Sequence, residues 1–228
     1  RAFTMPDMHT MVGNLTAAKD EFKNQYELCL SWMSDMQLPY ELAFRAQTDF
    51  FKENKQFYVD MINKIGKPIF IELYDVRYAY FITKFEFNYI DPYAKATTLS
   101  TVQIDVENSE TYSLSYADEK NQKTRPTILH ASIPGAIERN LFALLEQQGD
   151  VAAKQGVPQF PLWLAPTQVR LLALSDKHIN ACEMLAAKLS AQNVRVDVDD
   201  RSDKVGAKIR DAEKEWIPFI IVIGDKEE

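Results

Sequence analysis

The chain has 228 residues, 46% of them hydrophobic and 26% charged, which is the composition of a globular protein with room for one large or two small domains. No apolar run approaches the roughly 18 residues that a membrane span needs, and no basic-then-apolar signal pattern stands at the start. A net charge of −7 and a pI near 5.1 argue against non-specific coating of nucleic acid, so an RNA partner would have to dock on a local basic patch. Cys29 and Cys182 lie far apart in helical context, which predicts two core thiols in a reducing, cytoplasmic compartment instead of a disulfide.

Taken in order, residues 1–9 read as a strand running into a polar turn, with nothing capping it. A long amphipathic helix is predicted over 14–37, with Leu15, Phe22, Tyr26, Cys29 and Met33 on one side and Pro39 beyond its end. A second helix is predicted over 49–65, closed by Gly66 and Pro68. The period then becomes strand-like: PIFIELY, YAYFITKFEF, TVQIDV and YSLSY are short β-rich runs, with DEKNQKTR (118–125) as a charged hairpin connection and TILHAS (127–132) as the last strand. Pro134–Gly135 lead into a helix whose stripe is Ile137, Leu141, Leu144 and Leu145, leaving Arg139 free to reach outward. Strands in succession flanked by helices predict an α+β domain over 1–150, an antiparallel sheet with helices packed on it. The polar run EQQGDVAAKQGVPQFP marks a boundary, with a linker at 151–160. Over 161–228 the rhythm is strand (167–175), helix (178–192), strand (194–198), helix (204–215), strand (217–225), which predicts a small α/β domain with a largely parallel sheet.

Three motifs in order carry a family resemblance over nearly the whole chain. LHASIPGAIER resembles the third signature motif of class II aminoacyl-tRNA synthetases, which ends in Glu-Arg. RAFTMPDMHT resembles the second half of their second motif, and PLWLAPTQVRLLALSD the entry to the anticodon-binding domain of the subclass serving threonine, proline, histidine or glycine. With STVQID, these point to the threonyl-tRNA synthetases of archaeal type. The resemblance implies ATP-dependent activation of threonine to threonyl-adenylate and its transfer to the cognate tRNA, with Mg2+ accompanying ATP, in a cytoplasmic homodimer. It also implies a Zn2+ ion held by His9, His130 and a cysteine that would precede residue 1; the ion would bind the amino and hydroxyl groups of threonine. On spacing alone, two histidines so far apart would not suggest a metal.

By the same resemblance Phe3 stacks on adenine, Asp7 holds the threonine amino group and Arg139 neutralises the ATP γ-phosphate. Thr101 and Gln103 line the substrate pocket, and Lys84 stands near the reacting groups. Read as residues only, Phe3 is equally a core phenylalanine, and Lys84 and Arg139 solvated surface cations. Gln103, between Val102 and Ile104 on a strand, needs a hydrogen-bond partner if it faces inward. In RSDKVGAKIR, Arg201, Lys204, Lys208 and Arg210 stand against Asp203 as the local positive patch for an RNA loop. The resemblance adds Ser202 and Glu227 as contacts to anticodon bases. It further leads to the expectation of a fragment lacking the start of the second motif and the end of the anticodon domain, unable to activate threonine alone. Two rivals stand beside this reading: a synthetase of the same subclass for another amino acid, which would lack the histidine pair, and a non-catalytic RNA-binding or regulatory paralogue. Retention of Arg139, Gln103 and both histidines argues against the second.

Overall fold

The computed structural model describes residues 2–227, and the chain divides into two compact units, Arg1–Leu145 and Glu146–Glu228. In the first unit the strands are β1 (Met8–Val12), β2 (Glu41–Gln47), β3 (Phe70–Tyr74), β4 (Phe81–Ile90), β5 (Ala96–Asp105) and β8 (Thr127–Ser132). They form one six-stranded sheet in the order β1-β8-β5-β4-β2-β3, antiparallel throughout except for the β2–β3 pair. Between β5 and β8 lie a single helical turn, α4 (Asn108–Thr111), and a two-stranded ribbon of β6 (Tyr116–Ala117) and β7 (Lys123–Thr124).

Helix α1 (Leu15–Met36) is set by Asn14, whose side chain accepts the Ala17 N–H, and is closed by Gln37 in the left-handed conformation. Its buried face, Phe22, Tyr26, Cys29 and Met33, lies on the sheet: Phe22 and Tyr26 meet Phe85 edge-on at 5.3 and 5.1 Å. Phe44, Phe87 and Tyr58 extend this cluster, and the Tyr58 hydroxyl donates to Thr83.

Several expectations change here. The strand predicted over 1–9 begins at Met8 and runs to Val12; residues 2–7 precede it without regular structure, and Arg1 lies outside the described residues. The helix predicted over 49–65 is two helices, α2 (Thr48–Glu53) and α3 (Lys55–Ile65). Asn54 separates them because its side chain donates to the Phe50 carbonyl, competing with the helix ladder. Gly66 closes α3 at φ +68, as predicted. β2 lies where no strand was expected, while 112–115 of YSLSY stay out of any strand.

Helix α5 (Ile137–Ala153) runs three residues into the linker placed at 151–160. Its expected stripe is rotated: Asn140, Ala143 and Leu144 are buried, whereas Ile137, Leu141 and Leu145 are about half exposed. The turn before α5 is fixed by Gly135 at φ +74, where an added Cβ would lie 2.4 Å from the Leu99 carbonyl oxygen on β5. Neither the backbone conformation nor the space admits a side chain there.

In the second unit, β9 (Val169–Ala173), β10 (Val196–Asp199) and β11 (Phe219–Ile223) form a parallel sheet in the order β10-β9-β11. Helices α6 (Ile179–Ser190) and α7 (Val205–Lys214) make the crossovers, and Val169, Leu171, Ala173, Cys182 and Ile223 form the core. This is the α/β alternation predicted from the sequence.

Replacing Gly135 with alanine forces β5 and the α5 turn apart. Thermal and urea unfolding of Gly135→Ala should show a loss of about 2–3 kcal/mol or more; unchanged stability would contradict the close approach to Leu99.

Candidate active site

The sheet register brings the candidate residues into line. His9 on β1 pairs with His130 on β8, His130 with Gln103 on β5, Gln103 with Lys84 on β4, Lys84 with Arg45 on β2, and Arg45 with Glu72 on β3. One transverse row therefore crosses all six strands on a single face. The neighbouring row, Met8, Ala131, Val102, Phe85, Phe44 and Ile71, points to the other face, where α1 packs. Alternation alone separates a polar surface from an aromatic core.

At one end the imidazoles of His9 and His130 meet edge to face, with ring centroids 4.6 Å apart. Nε2 of His130 lies 2.7 Å from Oδ2 of Asp105, whose carboxylate is fully buried. Asp105 also accepts the backbone N–H groups of Glu107 and Asn108 and the Asn108 side-chain amide, at 2.7–2.9 Å. Burial pushes its carboxyl group up, but these donors together with His130 outweigh burial and hold it below the ordinary aspartate range. His9 is half exposed, with Nε2 3.6 Å from an Asp7 carboxylate oxygen.

Gln103 finds the partner its position demands: its Oε1 accepts the Tyr80 hydroxyl at 2.6 Å. The Tyr80 ring lies 4.9 Å from that of His130, and burial, then the charges of Asp105 and Asp7, push its phenol up. Lys84 is held by Glu86 at 2.6 Å, and Arg45 lies between Glu86 and Glu72 at 3.5 and 3.2 Å. The Thr101 hydroxyl donates to the Phe85 carbonyl. Tyr80, Asp105, Glu86 and Arg45 were not singled out from the sequence. Asp105 and Glu86 each stand two positions from a residue that was, so strand alternation already put them on the same face.

The N-terminal segment is tied to the turn before α5 and to its start. Thr4 donates its N–H to the Glu138 carboxylate and accepts the Ile137 N–H, while the Ser132 hydroxyl donates to the Pro6 carbonyl at 2.6 Å. Phe3 is 64% exposed, which removes the core reading of that residue. Arg139 is exposed and uses one Nη to reach the Thr98 carbonyl at 3.0 Å, with Nε and the other Nη unpaired among the described residues.

Two neighbouring imidazoles, one backed by a carboxylate, fit two positions of a borderline divalent cation such as Zn2+. Among the described residues no group of three His, Cys, Asp or Glu converges to complete the set. Cys29 lies on the opposite face beside Ser100, its thiol pushed up to about 12 by burial, so it cannot serve.

In the second unit the basic patch is corrected in part. Lys208 is only 2% exposed: its ammonium donates to the carbonyls of Ala173 and Asp199 at 3.0 Å each, locking the ends of β9 and β10, and does not reach a phosphate outside. Arg201 is bound by Asp199 through two nitrogens and lies 3.2 and 3.4 Å from Asp211 and Asp203, so its charge is largely neutralised. Ser202, Lys204 and Arg210 are exposed around the start and outer side of α7. Glu227 accepts the Gly224 N–H.

Residues 1–148 match the model of the tRNA synthetase class II core domain (G, H, P, S and T), and residues 168–228 match the anticodon binding domain. The chain belongs to the class II aminoacyl-tRNA synthetases. Over 230 aligned residues it is 50% identical to a threonine–tRNA ligase of Thermococcus sibiricus and 49% to one of Methanothrix thermoacetophila. Both alignments take in the whole of this chain and 37% of the relative, so it spans little more than a third of their length. In fold it is similar to a crystal structure described as the RNA binding domain of threonyl-tRNA synthetase from Cryptosporidium parvum, with TM-score 0.76 and 21% identity over 99% of this chain and 56% of that one. Among the described residues no helix is long and apolar enough to cross a membrane.

Asp199 is held below the ordinary aspartate range by its bonds to Arg201, against the effect of burial. Such a group contributes stability that is present above the unfolded-state pKa and is lost as pH falls through the folded one. Asp199→Asn should therefore be less stable than the parent at about pH 7, and the gap should narrow towards about pH 3. Lys208→Met should be destabilised by about 1–3 kcal/mol, through the two carbonyls left without a donor. Urea denaturation at the two pH values checks both.

Proposed function

We propose that the chain is the part of a threonine–tRNA ligase that binds threonine, the γ-phosphate of ATP and the anticodon of its tRNA. The observation that carries the proposal is the transverse row, which gathers His9, His130, Gln103 and Lys84 from four strands onto one face. The site residues are assigned to the reaction as follows. Asp7 takes the threonine ammonium group by charge, and Gln103, its oxygen occupied by Tyr80, donates its amide N–H to the substrate. Thr101 lines the same floor. His9 and His130, with a cysteine from outside these residues, would hold a Zn2+ ion, which when bound would supply a Lewis-acid contact to the amino and hydroxyl groups of threonine; valine has no hydroxyl to offer it.

Phe3 stacks on adenine, and Arg139 directs its two unpaired nitrogens to the γ-phosphate, with Mg2+ accompanying ATP. Lys84, steadied by Glu86, meets the charge that develops as the ionised threonine carboxylate attacks the α-phosphate and pyrophosphate leaves. No general base is required. The second unit, with its boundary in the 146–160 region, presents Ser202, Lys204 and Arg210 to the anticodon loop, and Arg201 and Glu227 join only by exchanging their present partners. Cytoplasmic location and a homodimeric full-length enzyme complete the reading.

In the full-length polypeptide, His130→Ala should abolish zinc retention and lower threonine-dependent pyrophosphate exchange by about 100-fold or more. Unaltered zinc content and exchange would overturn the metal role. Lys204→Ala with Arg210→Ala should weaken tRNA binding and reduce the slope of log affinity against log salt by about 2, one for each lost phosphate contact; an unchanged slope would remove α7 from the RNA interface.

A further inference from the structure

Asp105 is the most completely satisfied buried charge at the site, and its geometry bears on the chemistry of His130. Its Oδ1 accepts two backbone N–H groups from the turn entering α4, at 2.8 Å from Glu107 and 2.9 Å from Asn108. Its Oδ2 accepts the Asn108 side-chain amide at 2.7 Å and faces Nε2 of His130 at 2.7 Å. The carboxylate side chain is 0% exposed and sits on β5, two residues from Gln103, so it is shielded from solvent. Every group around it is a donor. An acceptor-only carboxylate fixed in this way requires the facing ring nitrogen to carry a proton. The neutral imidazole then has one remaining lone pair, at Nδ1.

We propose that Asp105 is a positioning residue that fixes His130 in its Nε2–H tautomer and so makes Nδ1 the atom that ligates a borderline divalent cation. This deepens, and rests on, the assignment of His130 as a metal ligand. Among the described residues, Asp105 is the polar neighbour that faces Nε2 of the ring. The Tyr80 ring lies tilted against the imidazole at 4.9 Å and gives its hydroxyl to Gln103, and His9 meets the imidazole edge to face. Asp105 touches neither substrate nor metal in this arrangement; it acts through His130.

Asp105→Asn tests the idea, because asparagine keeps the shape and reverses one polarity. Its oxygen retains the two backbone N–H groups, which places the amide nitrogen opposite His130 Nε2 and requires the Asn108 side-chain amide to turn over and present its oxygen. The ring must then accept at Nε2 and carry its proton at Nδ1, the atom the metal needs. The protein has three histidines, so long-range 1H–15N spectra resolve each ring, with His130→Ala identifying the relevant signals. The parent protein without added metal should show His130 as the Nε2–H tautomer, and Asp105→Asn should show the Nδ1–H form. In the full-length polypeptide, Zn2+ affinity measured against a competing chelator should fall about 10- to 100-fold in Asp105→Asn.

A parent His130 in the Nδ1–H form overturns the proposal, whether or not the variant folds. So does a folded variant with an unchanged tautomer, or with unchanged Zn2+ affinity where the parent binds Zn2+ more tightly than His130→Ala. If the parent binds Zn2+ no more tightly than His130→Ala while the tautomer switches as described, the ligand assignment of His130 fails and the orienting role of Asp105 stands by itself.

Discussion

Inter-strand hydrogen bonds hold six side chains, from His9 at one edge to Glu72 at the other, in a single line across the large sheet. The adjacent line is apolar from Met8 to Ile71, and its Phe85 and Phe44 pack in the aromatic cluster beneath α1. A slip of one residue in any strand would exchange the two lines, burying a histidine, glutamine or lysine among aromatic rings and exposing a phenylalanine. The hydrophobic effect that seats α1 on the sheet therefore also aligns the site. The core sets the register, and the register sets the chemistry.

Around that line the structure adds local fasteners. Gly135 lets the chain pass against Leu99 between β8 and α5, which brings Arg139 within reach of Thr98. Glu138 and Ile137 capture Thr4, so the segment carrying Phe3 and Asp7 is held beside the helix carrying Arg139. Glu86, two residues along β4 from Lys84, lies 2.6 Å from the Lys84 ammonium and 3.5 Å from Arg45, so it bridges two neighbouring cations of the row. Each fastener is short-range, yet Gly135–Leu99, Thr4–Glu138 and Arg45–Glu86 each join residues far apart in sequence.

How much of this was legible in the sequence follows from the same distinction. Periodicity found α1, the late strands and the alternating second unit, because each element's pattern is contained within itself. It gave no element to β2, although Leu42, Phe44 and Ala46 alternate cleanly as the buried side of that strand. It assigned the wrong stripe on α5, where Leu141 is apolar but only partly covered. His9, His130, Gln103, Lys84 and Arg139 were singled out as candidates through motif resemblance. Tyr80 and Asp105 were not, since their importance lies in a cross-strand neighbour that spacing along one strand does not reveal. Lys208 looked like a surface cation in a basic run, and only the positions of the Ala173 and Asp199 carbonyls explain why it points inward.

The most direct measurement is anomalous diffraction at the zinc edge from crystals of the full-length protein grown with Zn2+. The register predicts one strong peak bonded to Nδ1 of His130 and to the His9 imidazole at about 2.0–2.1 Å, with Asp105 still on Nε2. A peak elsewhere, or His9 and His130 on opposite faces of the sheet, would contradict the alignment on which the whole reading of the site depends.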